Sequence, residues 1–127
     1  MLTMYLVTLL AQTVPDAPTS SPPMEAAPVD LPILQQSALR CAVAIALVAE
    51  RQRLEMTEAE QWPDLLADQR GREFFVRSFA KLMDDTGITR EELASRGRKE
   101  AEELVADDQR LDAIMPACLL MLDASGL

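Results

Sequence analysis

The chain has 127 residues, of which 49% are hydrophobic and 4% aromatic, and 21 acidic against 12 basic residues give a formal net charge of −9. This length fits one domain, whose core has to be built mainly from aliphatic side chains. The acidic balance argues against binding to nucleic acid, which needs a basic surface, and against docking on anionic lipid.

The first eleven residues, Met1 to Ala11, form an apolar run that is too short to span a bilayer as a helix. The run resembles the core of a secretory signal peptide, so we predict export and a mature chain that starts at or near Gln12. It departs from that pattern because no Lys or Arg precedes the core, and Leu9 is large for its place before the cleavage site. The alternative interpretation is a buried or membrane-anchoring N-terminal helix.

The following stretch, residues 12–30, contains five prolines between Pro15 and Pro28. Proline fixes φ and removes a hydrogen-bond donor, which excludes a helix or a central strand here. We predict a disordered tether in front of a single helical domain that spans residues 31–127. The tether is either a spacer from a membrane or partner, or simply a frayed end of the mature chain.

An apolar run around Cys41 predicts a first helix from about Leu31 or Ile33 to about Leu54. One face of this helix carries Leu34, Cys41, Ile45 and Val48 at about 100° per residue. Apolar residues cover more than half of its circumference, which predicts a central helix covered on two sides. A transmembrane interpretation is rejected, since Arg40 and two glutamines lie within the span.

A second helix is predicted from about Asp64 or Gln69 to Asp85, and Gly87 suits the left-handed position that ends it. Its core face follows the spacing i, i+4, i+7 and i+8, with Phe75, Phe79, Leu82 and Met83. Trp62, in the preceding connection, is interpreted as a cover over one end of the core.

A third helix is predicted from Arg90 to about Ala106. Thr89 is its N-cap and Glu92 completes a capping box. Gly97 weakens the middle of this helix by roughly 1 kcal/mol relative to alanine.

A fourth helix begins after Asp107 or Asp108, and a kink or break is expected at Pro116. It carries Cys118 on its apolar face, as the first helix carries Cys41. Two cysteines in an exported chain indicate one disulfide, and the alternative is two buried free thiols in a cytosolic protein. The predicted fold is therefore all-α, with about four helices packed around the first, one disulfide and a Pro-rich N-terminal tether.

Most kinds of catalytic site lack the residues they need in this chain. Histidine is absent, which excludes Ser-His-Asp and Cys-His arrangements, and the four glycines form no phosphate-binding loop. Adjacent acidic pairs such as Glu91 and Glu92 point apart on a helix, which is typical of solvated faces. We therefore expect no enzyme, no cofactor and no metal, with carboxylate catalysis as the least favoured alternative.

One anomaly on the second helix suggests a binding surface. Phe74 lies roughly opposite the predicted core face and has basic neighbours, Arg70, Arg77 and Lys81. An exposed aromatic ring in a basic patch could bind an acidic partner or an anionic group. In that case Phe74→Ala costs little stability, whereas Phe75→Ala unfolds the domain. The alternative is a helix covered on both sides, which buries Phe74.

These observations favour a non-catalytic binding or interaction module of the bacterial cell envelope, periplasmic or secreted. The partner, if there is one, is expected to be a protein, and the mature chain is expected to have no stable transmembrane span. The alternative is a chaperone-like or stress protein that exposes apolar surface conditionally. In size, helix content and its single cysteine pair, the chain resembles periplasmic acid-stress chaperones, a likeness that covers no motif.

Overall fold

The computed structural model describes residues 30–127. This part of the chain contains the helices α1 (Ile33–Arg53), α2 (Arg70–Thr86), α3 (Arg90–Ala106) and α4 (Asp108–Ala124), with single 3₁₀ turns at Thr57–Ala59 and Ala67–Gln69. Residues 30–127 contain no strand, and the predicted all-α fold with four helices is confirmed. The predicted signal peptide and nearly all of the tether fall on residues 1–29, outside the described residues.

Helix α1 is the centre of the fold, as its apolar circumference predicted. It packs against α2, α3 and α4, and the side chains of Ala42, Ala44 and Ile45 have no solvent exposure. By length and composition α1 is also the one described helix that could cross a membrane, but 44% of its most apolar window is buried inside the protein. The core helix of a soluble protein has the same composition.

The predicted cysteine pair joins α1 to α4 through the core. Cys41 and Cys118 lie at disulfide distance, with 4.9 Å between their Cα atoms, and both are buried. A disulfide requires Cα atoms within about 7 Å, so this placement confirms the pairing. Arg51 and Asp108 form an ion pair of 2.9 Å further along the same two helices, which therefore run antiparallel.

The helix ends follow the local signals in the sequence. The hydroxyl of Thr89 accepts a hydrogen bond from the main-chain N–H of Glu92 at 3.2 Å, and Gly87 has the predicted left-handed conformation with φ of 72°. The carboxylate of Asp107 accepts from two main-chain N–H groups in the first turn of α4. Each of these bonds satisfies a donor that the helix leaves unpaired.

Helix α4 continues through Pro116, so the expected break does not occur. Pro116 lies on the solvent side, where water can reach the carbonyl group of Asp112 that loses its helical donor. Packing on the buried side keeps the helix continuous, because two residues before the proline and two after it are almost fully buried. They are Leu111, Met115, Cys118 and Leu122.

The most buried stripe of helix α2 lies beside the face that its spacing predicted, of which Leu82 is buried and Phe75, Phe79 and Met83 are partly buried against the core. Gly71, Phe74 and Leu82 are buried, and Phe74 is only 3% exposed. Phe75 and Phe79 are partly buried and lie to one side of this stripe. Of the two interpretations of Phe74, exposure is therefore wrong and burial is confirmed, because α2 meets α1 through the stripe that begins at Gly71, where the missing side chain allows close contact.

Candidate binding grooves on either side of helix α2

Helix α2 is bordered by an open groove on each side. It packs mainly on α1 and makes few contacts with α3, while α4 lies on another side of α1. We call the space between α2 and α4 the α2/α4 groove and the space between α2 and α3 the α2/α3 groove. Part of α1 forms the floor of both.

The α2/α4 groove contains three of the four residues predicted to bind a partner. Phe74, Arg77 and Lys81 line this hollow of about 550 Å³ near the N-terminal half of α1. Phe74 is buried in its wall. Arg77 pairs with Glu73 at 3.7 Å and Lys81 pairs with Asp85 at 3.0 Å, both within α2. The positive charges here are thus balanced within their own helix.

Arg70, the fourth predicted residue, lies at the edge of the same groove but is engaged in packing. Its Nε donates to the main-chain oxygen of Leu127 at 2.7 Å, and its Nη2 pairs with Asp123 at 2.6 Å. Leu127 itself lines the groove. Arg70 therefore holds Asp123 and Leu127 beside α2 through these two contacts.

Gln35 adds one unusual polar atom to the α2/α4 groove. Its side-chain oxygen is shielded from solvent and has no hydrogen-bond partner within residues 30–127. An unpaired buried acceptor is unfavourable by about 1–3 kcal/mol. A donor that reached this oxygen would therefore be bound favourably.

The α2/α3 groove consists of two hollows that share Ala46 and Phe75, and only the one of about 550 Å³ reaches α3. The other, of about 360 Å³, continues the groove between α1, α2 and the connection that precedes α2. One wall is the aromatic pair Phe75 and Phe79, whose ring centroids lie 4.1 Å apart. The floor of both hollows belongs to α1, and α3 forms the opposite wall of the larger hollow only. The small or aliphatic side chains of the floor and this wall are Val43, Ala46, Leu47, Ala49, Ala94 and Ala101, with Gly97 between the last two. The groove is thus lined mainly by apolar side chains.

The connection between α1 and α2 closes one end of the α2/α3 groove with Leu65 and Leu66. The side chain of Gln52 holds this connection, since its oxygen accepts from the main-chain N–H of Leu65 at 2.9 Å and its nitrogen donates to the oxygen of Pro63 at 2.8 Å. Trp62 packs partly buried against the core beside it, as the sequence predicted. The end of the groove is therefore fixed by hydrogen bonds.

Charged residues stand at the rim of the α2/α3 groove. The Nε of Arg53 donates to Glu50 at 2.9 Å, and this hydrogen bond lowers the pKa of the Glu50 carboxyl and raises the pKa of Arg53. Arg72 lines one hollow and Arg98 the other. Neither of these two arginines has an ion-pair partner in the described part of the chain. The rim therefore offers two cations that have no acidic partner within residues 30–127, on an acidic protein.

Sequence reasoning missed the α2/α3 groove because it assigned Phe75 and Phe79 to the core. A usable signal was present in α3, whose side facing these rings carries Ala94, Gly97 and Ala101. Residues so small cannot cover two phenylalanine rings. A thin stripe of this kind opposite an aromatic stripe indicates an open groove.

The arrangement is suited to binding. A partly exposed aromatic pair provides apolar contact area, and the arginines at the rim can pair with anions. Within residues 30–127, no three Asp, Glu or Cys side chains gather as a metal site would need. Comparisons of the chain with protein family models, curated proteins and solved structures found no match.

Proposed function

We propose that this protein is a non-catalytic interaction module of the bacterial cell envelope, periplasmic or secreted, which holds an apolar segment of a partner protein in the α2/α3 groove. The observation that carries the proposal is the pair Phe75 and Phe79, partly exposed and 4.1 Å apart in an open apolar groove. Aromatic side chains in such positions dominate the binding energy of protein interfaces.

Two features support export. Cys41 and Cys118 lie at disulfide distance in the core, and disulfides persist in oxidising compartments such as the periplasm. The apolar run from Met1 to Ala11 resembles a signal peptide. Both features fit a protein that works outside the cytoplasm.

The α2/α3 groove is the better of the two grooves for a partner. In the α2/α4 groove the cations of Arg77 and Lys81 are already paired, and Phe74 is buried. In the α2/α3 groove the aromatic rings are partly exposed, and Arg72 and Arg98 form no ion pair with the described part of the chain. A partner gains more new contacts there.

A second candidate function is that of a chaperone-like stress protein. It is supported by large apolar side chains outside the grooves or at their edges, since Ile33, Leu34 and Leu120 are 80%, 79% and 70% exposed. Such a protein binds many unfolded chains through dispersed apolar surface, whereas an interaction module binds one partner at one place.

Photocrosslinking in the cell tests the proposal. A benzophenone amino acid replaces Phe79 in the groove, and in a control strain it replaces Leu120 on α4. We expect a discrete crosslinked product from position 79, found in the envelope fraction, and none from position 120. Equal, heterogeneous products from both positions would support the chaperone-like candidate instead, and no product from position 79 would overturn the proposal.

A further inference from the structure

We infer that the segment held in the α2/α3 groove is an acidic amphipathic helix of about three turns. The inference rests on the proposed function, because it specifies the occupant of the same groove. It is drawn from the length of the groove, the size of its lining side chains and the position of its two free arginines.

The length of the groove matches a short helix. Along α1 the lining residues run from Val43 to Arg53, which at a rise of 1.5 Å per residue is roughly 15 Å. A partner helix that lies along this floor presents about three turns, with apolar anchors at positions i, i+3 or i+4, and i+7.

The lining allows a helix backbone to come close. Ala46 and Ala49 form part of the floor, and Ala94 and Ala101 lie on the α3 wall on either side of Gly97, which the ring of Phe79 covers. Packed helices lie about 8–10 Å apart, and small side chains at the contact favour the short end of that range. Large apolar side chains of the partner then fit beside Phe75, where the two hollows meet.

The charges at the rim select an acidic partner. Arg72 and Arg98 line different hollows, and neither is paired with an acidic residue of the described chain, although the protein carries a formal net charge of −9. Charge complementarity at a rim raises the association rate and rejects partners of the wrong sign. A basic rim on an acidic protein therefore favours acidic residues on the occupant.

The placement of the two arginines in different hollows favours a helix over a single-chain anionic amphiphile. An amphiphile has one anionic head, which can pair with Arg72 or with Arg98. A helix along the groove can place acidic residues near both of its ends and pair with both arginines. The helix therefore pairs with both of the rim arginines that have no acidic partner within residues 30–127.

The experiment is a selection of random 14-residue peptides displayed on phage against the folded, oxidised protein. Enriched peptides are synthesised and their binding is measured by fluorescence anisotropy, with circular dichroism to follow helix formation. We expect peptides with apolar residues at i, i+3 or i+4, and i+7 and with Asp or Glu at both ends, and we expect them to become helical on binding.

Charge variants locate the bound peptide. Arg72→Glu and Arg98→Glu should each weaken binding about tenfold, and a peptide with its acidic residues changed to lysine should regain affinity for the double variant. Arg77→Glu is the matched control, because it makes the same change on α2 in the other groove, and it should leave binding unchanged. All three side chains are exposed, and melting curves verify that the variants fold.

The possible outcomes test the identity of the occupant and the groove as a binding site independently of each other. Neutral, basic or extended peptides that lose binding on Phe79→Ala would overturn the acidic helix and leave the groove as a binding site. Peptides that bind Phe79→Ala as well as the unchanged protein would overturn the proposed function too. If dodecanoate displaced the peptides and its binding depended on only one of the two arginines, the occupant would be an anionic amphiphile. If sedimentation showed a dimer in which the groove is covered, the occupant would be a second copy of this chain.

Discussion

The ring of Phe79 lies directly over Gly97, and its Cζ atom is 3.1 Å from the place that a Cβ atom would take on residue 97. Gly71 on α2 is equally close to its neighbours, since a Cβ there would be 3.0 Å from the Cβ of Ala49 and 3.3 Å from the oxygen of Leu65. The two glycines differ in what would have to move. A Cβ on residue 97 would displace the end of the Phe79 side chain, which lies beside an open groove. A Cβ on residue 71 would displace Ala49 of the packed helix α1 and the main-chain oxygen of Leu65.

Gly71→Ala should therefore destabilise the protein by roughly 1–3 kcal/mol, the usual result of overpacking a core. Gly97→Ala should be neutral or stabilise it by up to about 1 kcal/mol, because alanine favours the helix and the ring of Phe79 can swing toward the groove. Urea denaturation of both variants measures the difference. Equal destabilisation by the two changes would mean that Phe79 is held as firmly as the core.

The two neighbouring phenylalanines of α2 should respond to truncation in the reverse of the order that an exposed Phe74 would give. Phe74 is 3% exposed, so Phe74→Ala should destabilise the protein by about 3–5 kcal/mol. Phe75 is partly exposed in the α2/α3 groove, so Phe75→Ala should cost clearly less. Urea or thermal melts of the two variants give the order, and a larger loss for Phe75→Ala would contradict the packing described for α2.

The features that the sequence predicted correctly depend on local signals or on a strong periodicity. Thr89 caps α3 through a bond to a residue three positions away, and Gly87 ends α2 through its own backbone conformation. The apolar circumference of α1 determined its central place. Cys41 and Cys118 could be paired because they are the only two cysteines and each lies on an apolar face.

The grooves were not predicted, because their positions depend on how three helices are placed around α1 and only the small residues of α3 give a local signal of one of them. Helix α2 carries phenylalanines on more than one side, and periodicity does not indicate which side a neighbour covers. The small residues of α3 leave Phe75 and Phe79 only partly covered. Arg70 was assigned to a binding surface because its partners, Asp123 and Leu127, lie more than fifty residues further along the chain.

The bridge between Cys41 and Cys118 should contribute a large part of the stability. It closes a loop of 77 residues, for which the chain-entropy model gives about 4 kcal/mol. Melting curves with and without reductant should differ by a clear drop in the midpoint, and the double variant Cys41→Ala with Cys118→Ala should melt like the reduced protein. Thiol labelling of the unreduced protein should modify neither cysteine, and an unchanged midpoint after complete reduction would contradict the prediction.

The exposed pair of Glu50 and Arg53 at the rim of the α2/α3 groove predicts a pH effect of known sign. The hydrogen bond from Arg53 holds the pKa of Glu50 below its ordinary value. The stabilisation from this pair is therefore present above the ordinary pKa of a glutamate and is lost as the pH falls through the lowered value.

Arg53→Gln should move the Glu50 pKa upward to the ordinary value, as measured by carbon NMR of the side-chain carboxyl during a titration. Arg51→Gln is the matched control on the same turn of α1, because Arg51 pairs with Asp108 instead, and it should leave the Glu50 pKa where it is. If both variants raised that pKa equally, the shift would come from the summed charge of the surface and not from the hydrogen bond.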